Sequence, residues 1–239
     1  MAAYKADFIF YDLLSKIYQR NYTENKLPTQ RKLAEQYGVS RFTIQSVLNR
    51  MQHMGLIHSV QGDAIYIDVA VSKNPLMLNS MIERPYSEIQ SRMVYKKQIP
   101  ATSELSSIFS VEPGAPLWEY QRIRIVNFQI TQVQTSWIPC TLVPELPQEA
   151  IESSIYDYIL SLDLKIGHTI SNYTAIAVDS ATAALLQCKK NSPAMRIESR
   201  GILKDRTVFE YTHIISLDYG CTYIVPFNKK MHERRHDHN

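Results

Sequence analysis

The sequence predicts an α+β protein in two parts: a small helical unit closed by a β-hairpin, then a larger domain built on an antiparallel sheet. Three observations predict it. Apolar residues recur at helical spacing through residues 9–51. After Gly55 the pattern changes to short strand-like runs. From residue 117 onward such runs are joined by tight turns and separated by short helices, which favours α+β over a parallel sheet.

Residues 3–22 read as a helix, because Ile9, Leu13 and Ile17 form one apolar row and Phe10, Leu14 and Tyr18 the next. Asn21, Asn25 and Leu27-Pro28 end it. Thr29 stands where a helix N-cap belongs, with Leu33, Ala34 and Tyr37 on the buried face that follows. Gly38 breaks this helix, and Ser40 caps a third whose Ile44, Val47, Leu48 and Met51 share one side. The runs 56–60 and 64–69 flank Gln61-Gly62-Asp63 as a hairpin. The stretch 71–85 loses periodicity and carries Asn74-Pro75 and Arg84-Pro85, so the expected division is a first domain at 1–75, a linker at 76–85 and a second domain at 86–239. In the second domain, strands are expected at 117–126 and 131–138 (joined across Asn127), at 171–178, and as a hairpin at 195–203 and 208–217. Helices are expected at 150–162 and 181–187.

With 239 residues, 45% hydrophobic and 21% charged, the composition suits a globular protein. No apolar run approaches the ~18 residues of a membrane span, and the N-terminus has acidic residues inside its apolar stretch, so neither membrane nor secretory signal is expected. Three widely spaced cysteines without a CxxC pair imply reduced thiols and a cytoplasmic setting. The formal net charge of +3 lies entirely in the first third: residues 1–75 hold nine Lys/Arg against six Asp/Glu, and the remainder balances. A local basic excess suits a polyanion partner. No nucleophile-elbow, zinc-protease or Walker pattern is present, so no catalytic site and no cofactor is expected. His232, His236 and His238 read as a polar tail, not as a metal site.

The segment 27–57, LPTQRKLAEQYGVSRFTIQSVLNRMQHMGLI, has the parts of a helix-turn-helix. Ala34 is the small residue that lets two helices cross, and Gly38 tolerates a positive φ in the turn. Leu33, Val39, Ile44 and Leu48 are the apolar anchors. The outer face of the second helix then carries Arg41, Phe42, Thr43, Gln45, Ser46 and Asn49, groups able to reach phosphates or base edges from the major groove of double-stranded DNA.

Here the chain resembles the GntR family of bacterial transcription regulators, through Leu27, Pro28, Arg31, Leu33, Ala34, Gly38, Val39, Ser40, Arg41, Thr43, Leu48, Gly55, Leu56 and Ile57. The resemblance implies a winged helix-turn-helix. Arg31 and Arg41 would hold the operator, Ser40 and Thr43 would contact phosphates, and Gln61 and Gly62 would form the tip of the wing. Gln45 stands where many members have arginine, and Phe42 and Ala64 also depart from the common pattern, so the operator is expected to differ from those of relatives. A pseudo-palindromic operator implies a homodimer.

The second domain resembles the effector-binding (UTRA) domain of the HutC-type branch, a chorismate-lyase-like α+β fold. The matching pieces are LWEYQRIR at 117–124, Trp137-Ile138-Pro139, SSIYDYI at 153–159 and Val208-Phe209-Glu210-Tyr211. From the residues alone, Arg122 and Arg124 lie two apart on a strand and share a face, while Ile123 and Ile125 pack on the other. Two guanidinium forks on one face suit a small anionic effector such as a sugar phosphate, and the resemblance places effector-binding arginines at these positions. Gln134 and Glu210 are further wall candidates, Glu210 because a charge beside apolar residues on a strand needs a partner. Ser87 and Ser154 could donate to an anion or cap a helix. Ser216 falls near a place where the resemblance leads one to expect an aromatic residue. The expected function is a ligand-responsive repressor. The alternatives are a lyase-like enzyme fused to a DNA-binding module, and a sensor that has lost its ligand and serves only to dimerise.

Overall fold

A computed structural model describes residues 2–60, 64–68, 76–79, 88–225, 227 and 229. Among them no helix is long and apolar enough to cross a membrane. The chain divides into two compact units, Met1–Pro85 with Gly220–Asn239, and Tyr86–Tyr219.

The first unit holds α1 (Ala2–Tyr18), a single 3-10 turn (Thr23–Asn25), α2 (Gln30–Tyr37), α3 (Arg41–His53) and the hairpin of β1 (Ile57–Ser59) with β2 (Ile65–Ile67). One core joins them, with Phe10, Leu13, Leu33, Ile44, Met51, Leu56 and Ile57 almost wholly buried. The caps are local and chemical. Thr29 accepts the Lys32 N–H and Ser40 accepts the Thr43 N–H, each satisfying an orphan donor of a first turn. Gly38 ends α2 in the left-handed region (φ 61°), where a Cβ would be strained. Helix α1 stops at Tyr18, short of the expected 22, because the chain turns at Arg20 through φ 57°.

Three strands and one helix fall where none was expected: β4 (Ile89–Pro100) and α4 (Ser103–Phe109) in the second unit, and two short strands in the first. β3 (Leu76–Asn79) lies inside the stretch read as a linker, and it pairs antiparallel with β10 (Cys221–Ile224), which joins the first unit although its sequence falls in the segment assigned to the second domain. Leu76-Met77-Leu78 is an apolar run too short to show alternation, and the turn signal of Asn74-Pro75 beside it dominates a sequence reading.

The second unit runs β4 (Ile89–Pro100), α4 (Ser103–Phe109), β5 (Pro116–Val126), β6 (Gln129–Pro139), α5 (Gln148–Glu152), α6 (Ile155–Ser161), β7 (Ile166–Ala177), α7 (Ser180–Leu186), β8 (Pro193–Leu203) and β9 (Val208–Ser216). Six strands form one sheet in the order β4-β5-β6-β9-β8-β7, all neighbours antiparallel. β5 and β6 turn through Asn127 and Phe128, both at positive φ (50° and 63°), as a tight two-residue hairpin requires. The single helix expected at 150–162 is two: Ser153 leaves helical geometry (φ −114°, ψ −104°), and Ser154 starts α6 by accepting the Asp157 N–H. Serine hydroxyls compete with the backbone for hydrogen bonds, and here they break the helix.

Both faces of the sheet are covered in part. On one, Tyr120, Ile138 and Phe209 pack with Ile151, Ile155 and Ile159 of α5 and α6. On the other, Ile123 and Val133 meet Ala183 and Leu186 of α7, while Leu117 and Tyr211 meet α4. Opposite Gly201 and Ile202 stand Glu210 and Val208, so Phe209 is an extra residue in β9, a bulge that re-aims the side chains beside it. A Cβ on Gly201 would lie 2.6 Å from the Phe209 ring, which is fully buried and has nowhere to retreat. Gly201→Ala is therefore expected to destabilise this unit by about 1–3 kcal/mol, read as a lowered midpoint in urea; an unchanged midpoint would show that the bulge yields freely.

Candidate nucleic-acid interface and effector site

The helix-turn-helix presents its expected residues outward. With Ile44, Val47, Leu48 and Met51 fixing the inner side of α3, the opposite side exposes Arg41, Phe42, Gln45, Ser46 and Asn49, Phe42 at 84% exposure. Arg31 is exposed on α2 and only loosely paired with Glu35 at 3.8 Å. Ser40 Oγ both caps α3 and lies 2.9 Å from Thr43 Oγ1, so the two hydroxyls form one unit at the helix start. The Gln30 side chain donates to the Arg41 carbonyl (2.9 Å), tying the two helices together beside Arg41. Gln45 Nε2 donates to Asn49 Oδ1 (2.7 Å), which orients both amides along the outer face. Arg50 differs: it pairs with Asp7 at 2.7 Å and stacks 3.9 Å over Phe10, so it holds α1 against α3. Gln61 and Gly62 lie outside the described residues.

In the second unit, a polar patch occupies the sheet face that α5 and α6 partly cover. Register places Tyr120, Arg122 and Arg124 of β5 opposite Ser136, Gln134 and Gln132 of β6, which in turn face Thr212, Ile214 and Ser216 of β9. Arg122, Gln132, Gln134, Ser136, Glu210, Thr212 and Ser216 are all buried. Arg122 Nε donates to Gln134 Oε1 (3.0 Å) and its Nη1 to the Ile151 carbonyl (2.6 Å). Gln134 passes a bond on to Ser136 (2.9 Å), Tyr120 donates to Glu210 (2.7 Å), and Gln132 donates to Ser216 (3.1 Å).

The electrostatics of this patch are lopsided. Arg122 is 3% exposed, yet its hydrogen bonds go to an amide oxygen and a carbonyl, both neutral. Burial pushes the Glu210 carboxyl above the usual carboxylate range, against the Tyr120 hydrogen bond and the positive charge of Arg122, which pull it down. Glu210 therefore holds its proton more tightly than an exposed carboxyl would, in the same buried patch as Arg122. Because the folded state raises this pKa, Glu210 supports the fold at acidic pH, and that support is lost as pH rises through its folded value. The melting temperature of wild type should therefore fall relative to that of Glu210→Gln as pH rises above the ordinary carboxylate range, since glutamine has no proton to lose. A constant difference in melting temperature from pH 4 to pH 8 would contradict it.

The structure brings Arg122, Gln134 and Glu210 into one network and sets Arg124 one step along the same face. The Ser154 side chain caps α6 by accepting the Asp157 N–H. Ser87 lies outside the described residues. Tyr120, Gln132, Ser136, Thr212 and Ser216 belong to the patch but were missed. The signal for the β6 residues is period two: Gln132, Gln134 and Ser136 share one face of a central strand, with Val133, Thr135 and Trp137 on the other, and a buried polar side chain there needs a reason.

A winged helix-turn-helix of this form, followed by an α+β unit with a buried polar face, defines a DNA-binding transcription regulator with a sensor domain. Residues 5–67 match the gntR family of bacterial regulatory proteins, and residues 86–216 match the UTRA domain. The chain belongs to this family: it is a gntR-type transcription regulator carrying a UTRA domain, and not an enzyme. Among its curated relatives, the HTH-type transcriptional repressor NagR of Bacillus subtilis is 27% identical over 203 residues, spanning 83% of this chain and 84% of that protein. The mannosyl-D-glycerate transport/metabolism system repressor MngR of Escherichia coli is 26% identical over 191 residues, 78% of this chain and 80% of that one. The crystal structure of YydK from Bacillus subtilis shares the fold with a TM-score of 0.56 at 22% identity, over 94% of this chain and 99% of that one.

Proposed function

We propose that this regulator is a cytoplasmic, homodimeric repressor that holds a pseudo-palindromic operator and releases it when a small anion, such as a sugar phosphate, binds the polar face of the second unit. The observation that carries the reading is Arg122, a buried guanidinium held by neutral oxygens. A buried cation is costly without a counter-charge, and a phosphate would engage Arg122 and Arg124 with charge-assisted bonds that a neutral sugar lacks. Gln134 and Glu210 would meet the ligand's hydroxyls. That relatives at 26–27% identity are named repressors, one of them of a mannosyl-D-glycerate system, supports the repressing sign and a carbohydrate-derived anion.

On DNA, Arg31, Ser40, Arg41 and Thr43 would anchor phosphates and base edges, with Gln61 and Gly62 at the wing. Phe42, exposed on the outer face, would meet a thymine methyl, and Gln45 would read adenine bidentately. Gln45→Arg is then expected to change the preferred base at one position of each half-site toward guanine. Selection from random duplexes with both proteins checks this, and an identical consensus would remove Gln45 from readout. The same selection tests the reading as a whole. Wild type should return an inverted repeat, and sugar phosphates added to the selected duplex should lower affinity about 5–150-fold. Tight binding that no phosphorylated sugar weakens would count against it.

A further inference from the structure

A glutamine amide is an ambiguous reader of DNA. Gln45 carries one acceptor oxygen and two N–H donors on a side chain whose last torsion is soft. Alone it can meet adenine, guanine or thymine from the major groove. In this chain the ambiguity is reduced from within α3. Gln45 and Asn49 are both exposed and stand at i, i+4, so they are neighbours one turn apart on the outer face. Gln45 Nε2 donates to Asn49 Oδ1 at 2.7 Å. Between them in sequence, Val47 and Leu48 are buried and apolar and offer no competing acceptor from their side chains.

We infer that Asn49 is a positioning residue for base readout. By accepting one N–H of Gln45 it leaves that side chain a single donor beside a single acceptor, a pattern that adenine matches and guanine does not. This rests on the reading of Gln45 as a base-contacting residue and names what fixes its choice. Adenine shows N7 as acceptor and N6–H as donor, which the remaining Gln45 N–H and Oε1 satisfy together. Guanine shows two acceptors, N7 and O6, so Oε1 would face a lone pair with no proton between them. A free Gln45 escapes that repulsion by turning its amide and donating both N–H groups. A held one does so only by breaking the Asn49 bond. The pair therefore acts chiefly against the wrong base. In water an i, i+4 amide pair favours its bonded form only about twofold, but the bond strengthens in a groove from which water is excluded. An arginine at position 45 would have donors only, and Asn49 would then have nothing to select.

The test is binding of the full chain to paired duplexes, read by fluorescence anisotropy at fixed salt. Selection with wild type and with Gln45→Ala first locates the position that Gln45 reads, and the duplexes carry adenine or guanine there. Wild type should prefer adenine about 5- to 150-fold. Asn49→Ala should narrow that ratio about 2- to 13-fold, the worth of one hydrogen bond, with no loss of melting temperature because alanine suits an exposed helix position. Asn49→Asp keeps the accepting oxygen. It should preserve the ratio while its charge, repelled by phosphate, weakens binding to both duplexes alike. In a Gln45→Ala background, Asn49→Ala should leave the ratio where it is. If Gln45→Ala selects the wild-type consensus, Gln45 reads no base and the inference falls with that reading. If Gln45 reads the position but Asn49→Ala keeps the wild-type ratio, or narrows it equally without Gln45, Asn49 does not position it although the readout stands. A wild-type preference for guanine would show Gln45 offering two donors, and would overturn the inference as well.

Discussion

Arg122→Ala/Arg124→Ala is expected to abolish release of operator by a sugar phosphate while leaving DNA binding intact. Truncating one partner of a buried, hydrogen-bonded charge pair costs about 2–5 kcal/mol, so the double variant should bind the effector roughly 30-fold to several thousand-fold more weakly. The effect is asymmetric between sites because α3, which carries the DNA-facing residues, belongs to the other compact unit. Removing Arg122 also strips a donor from the Ile151 carbonyl and from Gln134, and an unpaired buried acceptor costs about 1–3 kcal/mol. Melting of the variant therefore has to be measured beside its titration. Arg124→Ala alone, which leaves the Arg122 hydrogen bonds in place, should give an intermediate loss of affinity. A double variant that is folded and responds to the effector as wild type does would place the ligand elsewhere.

Arg31→Ala/Arg41→Ala should have the opposite profile, with operator binding lost and effector binding retained. Each arginine is exposed, one on α2 and one at the first position of α3. Loss of a direct contact costs about 1–3 kcal/mol at each position, and two such losses together put specific binding near the nonspecific level. The fold should tolerate the change. Arg31 has only an exposed, 3.8 Å pairing with Glu35 to lose, and such pairs contribute little. The Arg41 carbonyl that accepts from Gln30 is backbone and survives the substitution. A gel-shift titration at fixed salt reads the result, and unchanged affinity would remove both residues from the interface.

Much of this was legible in the sequence, for reasons that differ by region. The helix-turn-helix is written locally. Thr29, Gly38 and Ser40 act on backbone groups within four residues, so their roles are readable without knowing the rest of the chain. The same locality gives the hairpin at Asn127-Phe128. Helix α4 was not read, although Thr102 caps it locally by accepting the Leu105 N–H; the missing strands are fixed by distant pairing. β4 carries Arg92, Lys96 and Lys97 and is exposed along much of one side, which dilutes its alternation; it is a strand because β5 hydrogen-bonds to it. β3 and β10 are four residues each and lie far apart in the chain, so neither has a periodicity to detect. The proposed effector site divides in the same way. The i, i+2 spacing of Arg122 and Arg124 shows in the strand itself, whereas the meeting of Tyr120 with Glu210 spans 90 positions and depends on strand order and on the bulge at Phe209. For Ser154 the sequence leaves two roles open, anion donor or helix cap, because a serine before a helix and a serine in a pocket look alike, and its acceptance of the Asp157 N–H shows the cap.

The most direct measurement of the central claim is calorimetric titration of the full chain with matched pairs of ligands, each sugar phosphate against its dephosphorylated sugar. If an anion completes the site at Arg122, at least one phosphorylated member should bind while its neutral partner shows at least ~100-fold weaker affinity, a difference of about 2.7 kcal/mol. Equal binding of a neutral sugar and its phosphate would contradict the claim that an anion completes this site.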